Sequence, residues 1–86
     1  MSAPNTHELL LYQTQFCPYC VKVRRYMETN EIELPTKDVQ RDPEARRELL
    51  ALGGQTQVPA LRIDDQILYE SDDIIRWLGE NIVASG

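Results

Sequence analysis

Hydrophobic and polar positions alternate in blocks along the chain, and two of the apolar blocks predict strands. The first, residues 9–12, is an unbroken apolar run that is too short for a helix. It therefore predicts a buried central strand. The second, "IELPTKDV" at residues 32–39, alternates less regularly and contains Pro35. Because proline has no N–H to donate to a neighbouring strand, we expect this segment at an edge of the sheet.

A later segment, "PALRIDDQILY", has the pattern of a β-hairpin. Leu61 and Ile63 alternate with other residues and are expected on one face of a strand. A tight turn is expected at residues 64–66, followed by a second short strand over residues 67–69. This hairpin would add an antiparallel pair to the sheet.

Between the strands, the first helix is predicted over Pro18–Thr29. Proline suits the first helical position, because its missing N–H would have no partner inside the helix. The spacing of three and four residues predicts one packed face. This face consists of Tyr19, Cys20, Val23 and Met27. The side chains of Lys22, Arg24 and Arg25 point elsewhere and are expected to form a solvated basic face.

The second helix, "DPEARRELLALGG", carries strong start and stop signals. Asp42 is the expected N-cap, Pro43 takes the first helical position and Gly53 ends the helix. Its apolar stripe consists of Ala45, Leu49 and Leu52.

The last helix is expected to begin with Ser71 as its cap. Asp72 and Asp73 fall in its first turn, where negative charge suits the positive end of the helix dipole. Its buried side consists of Ile74, Ile75, Leu78 and Ile82.

The order of these elements, βαβαββα, predicts an α/β fold. A parallel β-α-β unit is right-handed almost without exception, and a hairpin added to it gives a four-stranded mixed sheet flanked by three helices. A chain of 86 residues has room for one such unit, so residues 1–86 are expected to form a single domain. The polar residues 1–6 are expected to be a frayed start.

Charge and hydropathy exclude several partners. Nine Lys and Arg against fourteen Asp and Glu give a formal net charge of −5, which repels phosphate backbones and anionic lipid. We therefore expect neither nucleic acid nor a membrane as a partner. The N-terminal stretch has no signal-peptide pattern, and no segment approaches the roughly 20 apolar residues of a membrane span. The chain is expected to act in the cytoplasm, as a monomer.

The chain has two cysteines, Cys17 and Cys20, and both lie in "FCPYC". A permanent disulfide is disfavoured, because the cytosol is reducing and so short a loop constrains the unfolded chain little. A zinc site needs four ligands, and His7 is the only other soft donor, so no metal site is expected within one chain. A cluster bridged between two monomers stays open, although Pro18 and Tyr19 crowd its approach.

Thiol–disulfide exchange is the chemistry that this spacing favours. Cys17 precedes a helix, where free N–H groups and the positive end of the dipole stabilise a thiolate. Cysteines in such C-x-x-C settings have pKa values of about 3.5–7.5, against an ordinary value of about 8.5. Cys20, one turn further on, is expected to be less exposed and less acidic. Cys17 would therefore attack a disulfide sulfur, and Cys20 or an outside thiol would resolve the product.

Three motifs, in this order, make the chain resemble the glutaredoxin family of the thioredoxin fold. They are "CPYC" after an apolar strand, "QVPALRID" about forty residues later and "SDDI" in the last helix, and the resemblance covers roughly residues 8–83. It implies that the chain reduces protein disulfides and protein–glutathione mixed disulfides. Glutathione would be the co-substrate, with no permanently bound cofactor. Cys17 would be the nucleophile and Cys20 the resolving thiol.

The resemblance also implies a glutathione site. The Val58–Pro59 peptide bond would be cis, which leaves the Val58 backbone free to pair with the tripeptide. The Ser71 N–H and Asp72 would hold the γ-glutamyl end. Arg46 would contact the glycine carboxylate, which suits its planar fork, and Tyr19 would form a groove wall.

Three positions depart from the family pattern. Thr14 stands where the family usually has a lysine, which should leave Cys17 less acidic unless Lys37 or another basic side chain compensates. Gln57 replaces the usual threonine before Val-Pro. Tyr69-Glu70 replaces the usual Gly-Gly, and the resulting "ES" resembles the glutathione-binding turn of glutathione transferase N-terminal domains. A chain of this length has no room for the transferases' helical second domain, so conjugation of electrophiles is not expected.

Two rival functions stay open at this point. One is a module that binds glutathione, or bridges an iron–sulfur cluster, without turnover. The other is a disulfide reductase that is recycled by a thioredoxin-reductase-type partner in place of glutathione.

Overall fold

The computed structural model describes residues 7–83, so the start expected at residues 1–6 lies outside the described residues. The predicted α/β order of elements is confirmed. In chain order the elements are β1 (Leu9–Gln13), α1 (Pro18–Thr29), β2 (Thr36–Asp38), α2 (Pro43–Gly53), β3 (Ala60–Ile63), β4 (Gln66–Tyr69), α3 (Ser71–Leu78) and a π-helical segment, Gly79–Val83.

The four strands form one mixed sheet in the order β2-β1-β3-β4. Strand β1 runs parallel to β2 and antiparallel to β3, with Leu11 opposite Thr36 on one side and Leu61 on the other. The predicted edge position of β2 is therefore confirmed. The strand is shorter than its pattern indicated, and Pro35 lies just before it, where its carbonyl accepts the Leu11 N–H at 2.9 Å.

The β3–β4 hairpin is tighter than expected. Gln66 was assigned to the turn, but it pairs with Ile63 and is the first residue of β4. The turn is therefore Asp64-Asp65, with Asp64 at a φ of 55°. Its N–H donates to the Glu8 carbonyl at 2.9 Å, and its side chain accepts the Glu8 N–H at 3.0 Å, which fixes this bend.

Two apolar cores lie on the opposite faces of the sheet, because successive side chains of a strand point to opposite sides. Leu11 faces the core formed with α1 and α3, whereas its neighbour Tyr12 faces the core formed with α2. The buried residues of the first core are Leu11, Val23, Met27, Ile32, Leu61, Ile74 and Leu78. Those of the second are Tyr12, Val39, Ala45, Leu49 and Ala60. Within residues 7–83, no helix is long and apolar enough to cross a membrane.

The helices begin at the capping residues that the sequence predicted, with one exception. Asp42 caps α2, since its side chain accepts the N–H groups of Glu44 and Ala45. Ser71 was expected to cap α3, but the cap is Glu70 at a φ of 73°, and Ser71 is the buried first residue of the helix.

Two details of the helix faces also differ from the pattern. Tyr19 was placed on the packed face of α1, but 64% of it is exposed, and Leu52 of α2 is 37% exposed. Gly53 is the last residue of α2 rather than its stop, which is Gly54 at a φ of 82°. Gly53 has a different role, because a Cβ atom there would lie 2.0 Å from the Tyr69 hydroxyl.

Candidate active site

Cys17 lies at the junction between β1 and α1. It is the N-cap of α1, with extended backbone angles (φ −75°, ψ 123°), and Pro18 takes the first helical position. Cys17 is half-buried, whereas Cys20, on the first turn of the helix, is fully buried, and both are free thiols. The expected difference in exposure is confirmed.

The two thiols also differ in acidity. Burial acts against the Cys17 thiolate, but hydrogen bonds from the backbone and thiol of Cys20 and from the Tyr19 N–H, with the charge of Arg24, lower the pKa of Cys17 below its ordinary value. Burial raises the pKa of Cys20, and the neighbouring Cys17 raises it further. The structure thus pairs an acidic, accessible thiol with a less acidic, buried one, as the position of each on the helix predicted.

Arg24 occupies a position that the sequence pattern did not predict. It was expected on a solvated face, but it is half-buried and holds the segment between β1 and α1. Its guanidinium donates to the Gln13 side chain, to the Thr14 carbonyl at 3.0 Å and to the Gln15 carbonyl at 2.9 Å. Lys37, which was considered as a compensating cation, instead donates to both carboxylate oxygens of Glu48.

A groove of about 380 Å³ opens beside the start of α1. Its lining residues are Tyr19, Gln57, Val58, Pro59, Glu70 and Ser71. The Val58–Pro59 peptide bond is cis, as the resemblance implied. Gln57 donates from its side chain to the Glu70 carboxylate at 3.3 Å, so two of the positions that depart from the family pattern contact each other in this groove.

The remaining two residues of the expected glutathione site lie outside this lining. Asp72 is one residue beyond Ser71 and forms an ion pair with Lys22 of α1, which lowers the pKa of its carboxyl. Arg46 lies on an exposed face of the first turn of α2. The groove thus brings together four of the six expected contact residues, and the ligand roles of all six stay predictions. Within residues 7–83, no cluster of three or more His, Cys, Asp or Glu could hold a metal ion.

Comparison with known proteins gives the family. Residues 11–85 match the family described as glutathione S-transferase, N-terminal domain. An uncharacterized glutaredoxin-like 8.6 kDa protein of the rubredoxin operon of Clostridium pasteurianum is 33% identical over 58 residues, which are 67% of this chain and 77% of that protein. The chain is a glutaredoxin-like protein of the transferase N-terminal domain family.

Other relatives agree with this placement and with the thioredoxin-like fold. A glutaredoxin of Pseudomonas aeruginosa is 27% identical over 66 residues, which are 77% of this chain and 79% of that protein. A mutant form of the thioredoxin-like protein BC3987 superposes with a TM-score of 0.72 at 26% identity, covering 86% of this chain and 97% of that one. The predicted fold class and the resemblance are both confirmed.

Sequence reasoning missed two contacts of this site, although each had a partial signal. Arg24 is four residues after Cys20, a spacing that places both on one side of α1, near the Cys17 cap. The Lys22–Asp72 pair joins α1 to α3 and is separated by 50 residues, so no local pattern indicates it.

Proposed function

We propose that this protein is a glutathione-dependent thiol–disulfide oxidoreductase that reduces protein disulfides and protein–glutathione mixed disulfides. The observation that carries the proposal is the asymmetry of the two thiols, with Cys17 accessible and acidic and Cys20 buried and less acidic. Free thiols suit a reducing compartment such as the cytoplasm, where we propose that the protein acts as a monomer.

The proposed reaction begins with the Cys17 thiolate, which attacks one sulfur of a substrate disulfide. The substrate S–S bond breaks, and its second sulfur leaves as a thiolate that takes up a proton from water. When the product is a mixed disulfide with a protein, Cys20 loses its proton and attacks the Cys17 sulfur, which releases the reduced protein. Two glutathione molecules then reduce the Cys17–Cys20 disulfide and become one molecule of glutathione disulfide.

A glutathionylated substrate needs only one cysteine. Cys17 attacks the glutathione sulfur, so that the protein leaves as a thiolate and the glutathione moiety stays on Cys17. A second glutathione thiolate then attacks this mixed disulfide and regenerates the Cys17 thiolate. Cys20 takes no part in this route, which separates the two activities.

The groove beside Cys17 is the proposed glutathione site. Its volume of about 380 Å³ is within the usual range for a small-molecule pocket. We propose that the Val58 backbone pairs with the peptide, that Pro59 and Tyr19 shape the groove, and that the Ser71 N–H at the start of α3 receives the γ-glutamyl carboxylate. The positive φ of Glu70 supports this assignment, because backbone strain is concentrated at binding sites.

Asp72 and Arg46 remain the proposed contacts of the two charged ends of glutathione. The Asp72 side chain is 77% exposed, and exposed ion pairs are weak, so the ammonium group of the γ-glutamyl end can replace Lys22 as its partner. Arg46 has less support, because it does not line the groove.

The test is a glutathione-coupled reduction assay with two substrates, a small glutathione mixed disulfide and a protein disulfide. We expect Cys17→Ser to abolish both activities. Cys20→Ser should retain turnover of the mixed disulfide and lose reduction of the protein disulfide. The two variants are matched controls for each other, and equal loss of both activities in both variants would contradict the proposed roles.

A second candidate is a disulfide reductase that a thioredoxin-reductase-type protein recycles. Three observations favour it: Thr14 supplies no cation, Arg46 lies outside the groove, and Asp72 is paired with Lys22. All three weaken the contacts to the charged groups of glutathione but leave the thiol chemistry intact. The same assay with a thioredoxin reductase and NADPH in place of glutathione distinguishes the candidates, because turnover with the reductase alone would favour this one.

A further inference from the structure

We propose that Arg24 is a positioning residue for the exchange reaction, which holds the segment before Cys17 and supplies the positive charge that the family usually takes from a lysine at the Thr14 position. The inference rests on the proposed function, because it assigns Arg24 a part in forming the reactive thiolate. It goes beyond that function because it assigns the positive charge near Cys17 to a residue of α1, in place of the residue at position 14 in the loop after β1.

The guanidinium group of Arg24 joins α1 to the segment before Cys17. Arg24 donates to the side chain of Gln13, the last residue of β1, and to the carbonyls of Thr14 and Gln15 at 3.0 and 2.9 Å. A planar group with several N–H donors can make these bonds together, whereas a lysine ammonium lacks that fixed fork. Arg24 therefore ties α1 to three successive residues of the segment that leads to Cys17.

This segment also contacts the resolving thiol. The N–H of Thr14 points at the Cys20 sulfur, 3.5 Å away, while the carbonyl of the same residue accepts from Arg24. Arg24 thus fixes a peptide unit that contacts the resolving thiol. Since Cys17 in turn receives hydrogen bonds from the Cys20 thiol and backbone, a movement of this segment would be transmitted to the nucleophile.

Other basic groups near the site have partners elsewhere. Lys22 is paired with Asp72 of α3, and Lys37 of β2 is paired with Glu48 of α2. Arg41 contacts the exposed side chain of Gln15 at 3.4 Å, on the solvent side of the loop. The principal groups that act on Cys17 are Cys20, the Tyr19 N–H and Arg24, so Arg24 is the cation among them. Being half-buried, it is less screened by salt than a surface charge.

The expected size of the charge effect is modest. Among the groups that lower the pKa of Cys17, the charge of Arg24 follows the hydrogen bonds from Cys20 and Tyr19. An opposite charge at contact distance changes the thiolate fraction about tenfold or more, so the lesser contribution of Arg24 should change it about threefold below the pKa of Cys17.

The experiment measures the rate of Cys17 alkylation by iodoacetamide against pH, with the modified cysteine identified by peptide mass spectrometry. The test variant is Arg24→Gln, and Arg25→Gln is the matched control, because Arg25 is the next residue of α1 and is exposed. We expect Arg24→Gln to slow alkylation about threefold at acidic pH, where the thiolate fraction limits the rate. At alkaline pH the two rates should converge. Arg25→Gln should follow the unmodified protein throughout.

Two more variants separate charge from packing. Thr14→Lys, added to Arg24→Gln, restores a cation at the family's usual position and should recover the alkylation rate at acidic pH. Arg24→Lys keeps the charge but cannot make all three hydrogen bonds, so its midpoint should lie between those of the unmodified protein and Arg24→Gln, and it provides the test alone if Arg24→Gln does not fold. The proposal would be overturned by an unchanged midpoint in Arg24→Gln, by an equal shift in Arg25→Gln, or by a midpoint in Arg24→Lys that is unchanged or shifted as far as that of Arg24→Gln.

This readout is independent of the proposed activity, because iodoacetamide requires neither glutathione nor a protein substrate. If the unmodified protein shows no turnover with glutathione while Arg24→Gln still shifts the alkylation profile, then the proposed function is wrong and the assignment of the cation to Arg24 stands. If turnover with glutathione is found but the alkylation profile of Arg24→Gln is unchanged, then the proposed function stands and the assignment of the cation to Arg24 is wrong.

Discussion

Glu70 precedes α3 with a φ of 73° and a ψ of 120°, in a backbone region that residues with a side chain rarely occupy. Glutaredoxins usually have glycine at this position, and glycine adopts positive φ without steric conflict. Replacing Glu70 by glycine should therefore stabilise this turn. Replacing it by alanine should not, because alanine retains the Cβ atom that causes the conflict.

The comparison of Glu70→Gly with Glu70→Ala isolates the backbone effect. Both variants lose the same contact, the hydrogen bond from Gln57 at 3.3 Å, so its loss cancels between them. Backbone strain of this kind costs about 1–3 kcal/mol. The greater freedom of glycine in the unfolded chain opposes this by about 0.4–1 kcal/mol. Glu70→Gly should therefore be more stable than Glu70→Ala by roughly 1 kcal/mol, the reverse of the order at an ordinary position.

Urea unfolding followed by circular dichroism measures this difference. For a chain of this size 1 kcal/mol corresponds to a shift in Tm of about 4–8 °C, which a thermal scan also resolves. The slope of the unfolding free energy against urea should be equal in both variants, so that the midpoints alone report stability. A Glu70→Ala protein that is as stable as Glu70→Gly, or more stable, would refute the claim that the backbone is strained here.

Two further predictions concern stability. Gly53→Ala should destabilise the fold by about 1–3 kcal/mol in urea unfolding, because its Cβ atom would lie 2.0 Å from the Tyr69 hydroxyl. The same substitution should cost less in a Tyr69→Phe background, which lacks the hydroxyl; an equal cost in both backgrounds would contradict this. Burial and a hydrogen bond to Glu48 raise the pKa of Tyr12 above 10.0, so its stabilising contribution is present below the unfolded pKa and is lost as pH rises through the folded pKa. Tm measured against pH should therefore fall less steeply above pH 10 in Tyr12→Phe, and an unchanged slope would contradict this assignment.

The elements that could be predicted from the sequence are those whose signals are local. The bounds of α1 follow from Pro18 and the spacing of its apolar residues, and both agree with the structure. The end of α2 was misplaced by one residue, because either of two successive glycines satisfies the local rule. What distinguishes them is Tyr69, which approaches Gly53 from a strand 16 positions away in the chain. No local pattern contains that contact.

In the candidate site, too, features with local sequence signals could be predicted and features that depend on long-range contacts could not. The difference between Cys17 and Cys20 depends on their positions at the start of one helix, so it could be predicted and is confirmed. The groove depends on side chains that α1, the loop before β3 and the start of α3 bring together, and there the prediction was incomplete. Tyr19 and Ser71 line it, whereas Arg46, which was assigned from the family pattern, does not.

The exchange of a loop lysine for a helix arginine has a consequence for the choice of reductant. A lysine at the Thr14 position would extend from a loop, where a flexible ammonium can serve both the thiolate and a carboxylate of glutathione. Arg24 is held by hydrogen bonds to three residues of this chain, so it can act on Cys17 but is not free to reach a ligand. The substitution therefore separates two roles that one lysine would combine. The proposed arrangement keeps the nucleophile acidic but lacks one cationic contact to glutathione, so the second candidate, recycling by a thioredoxin-reductase-type partner, depends less on position 14 than recycling by glutathione does.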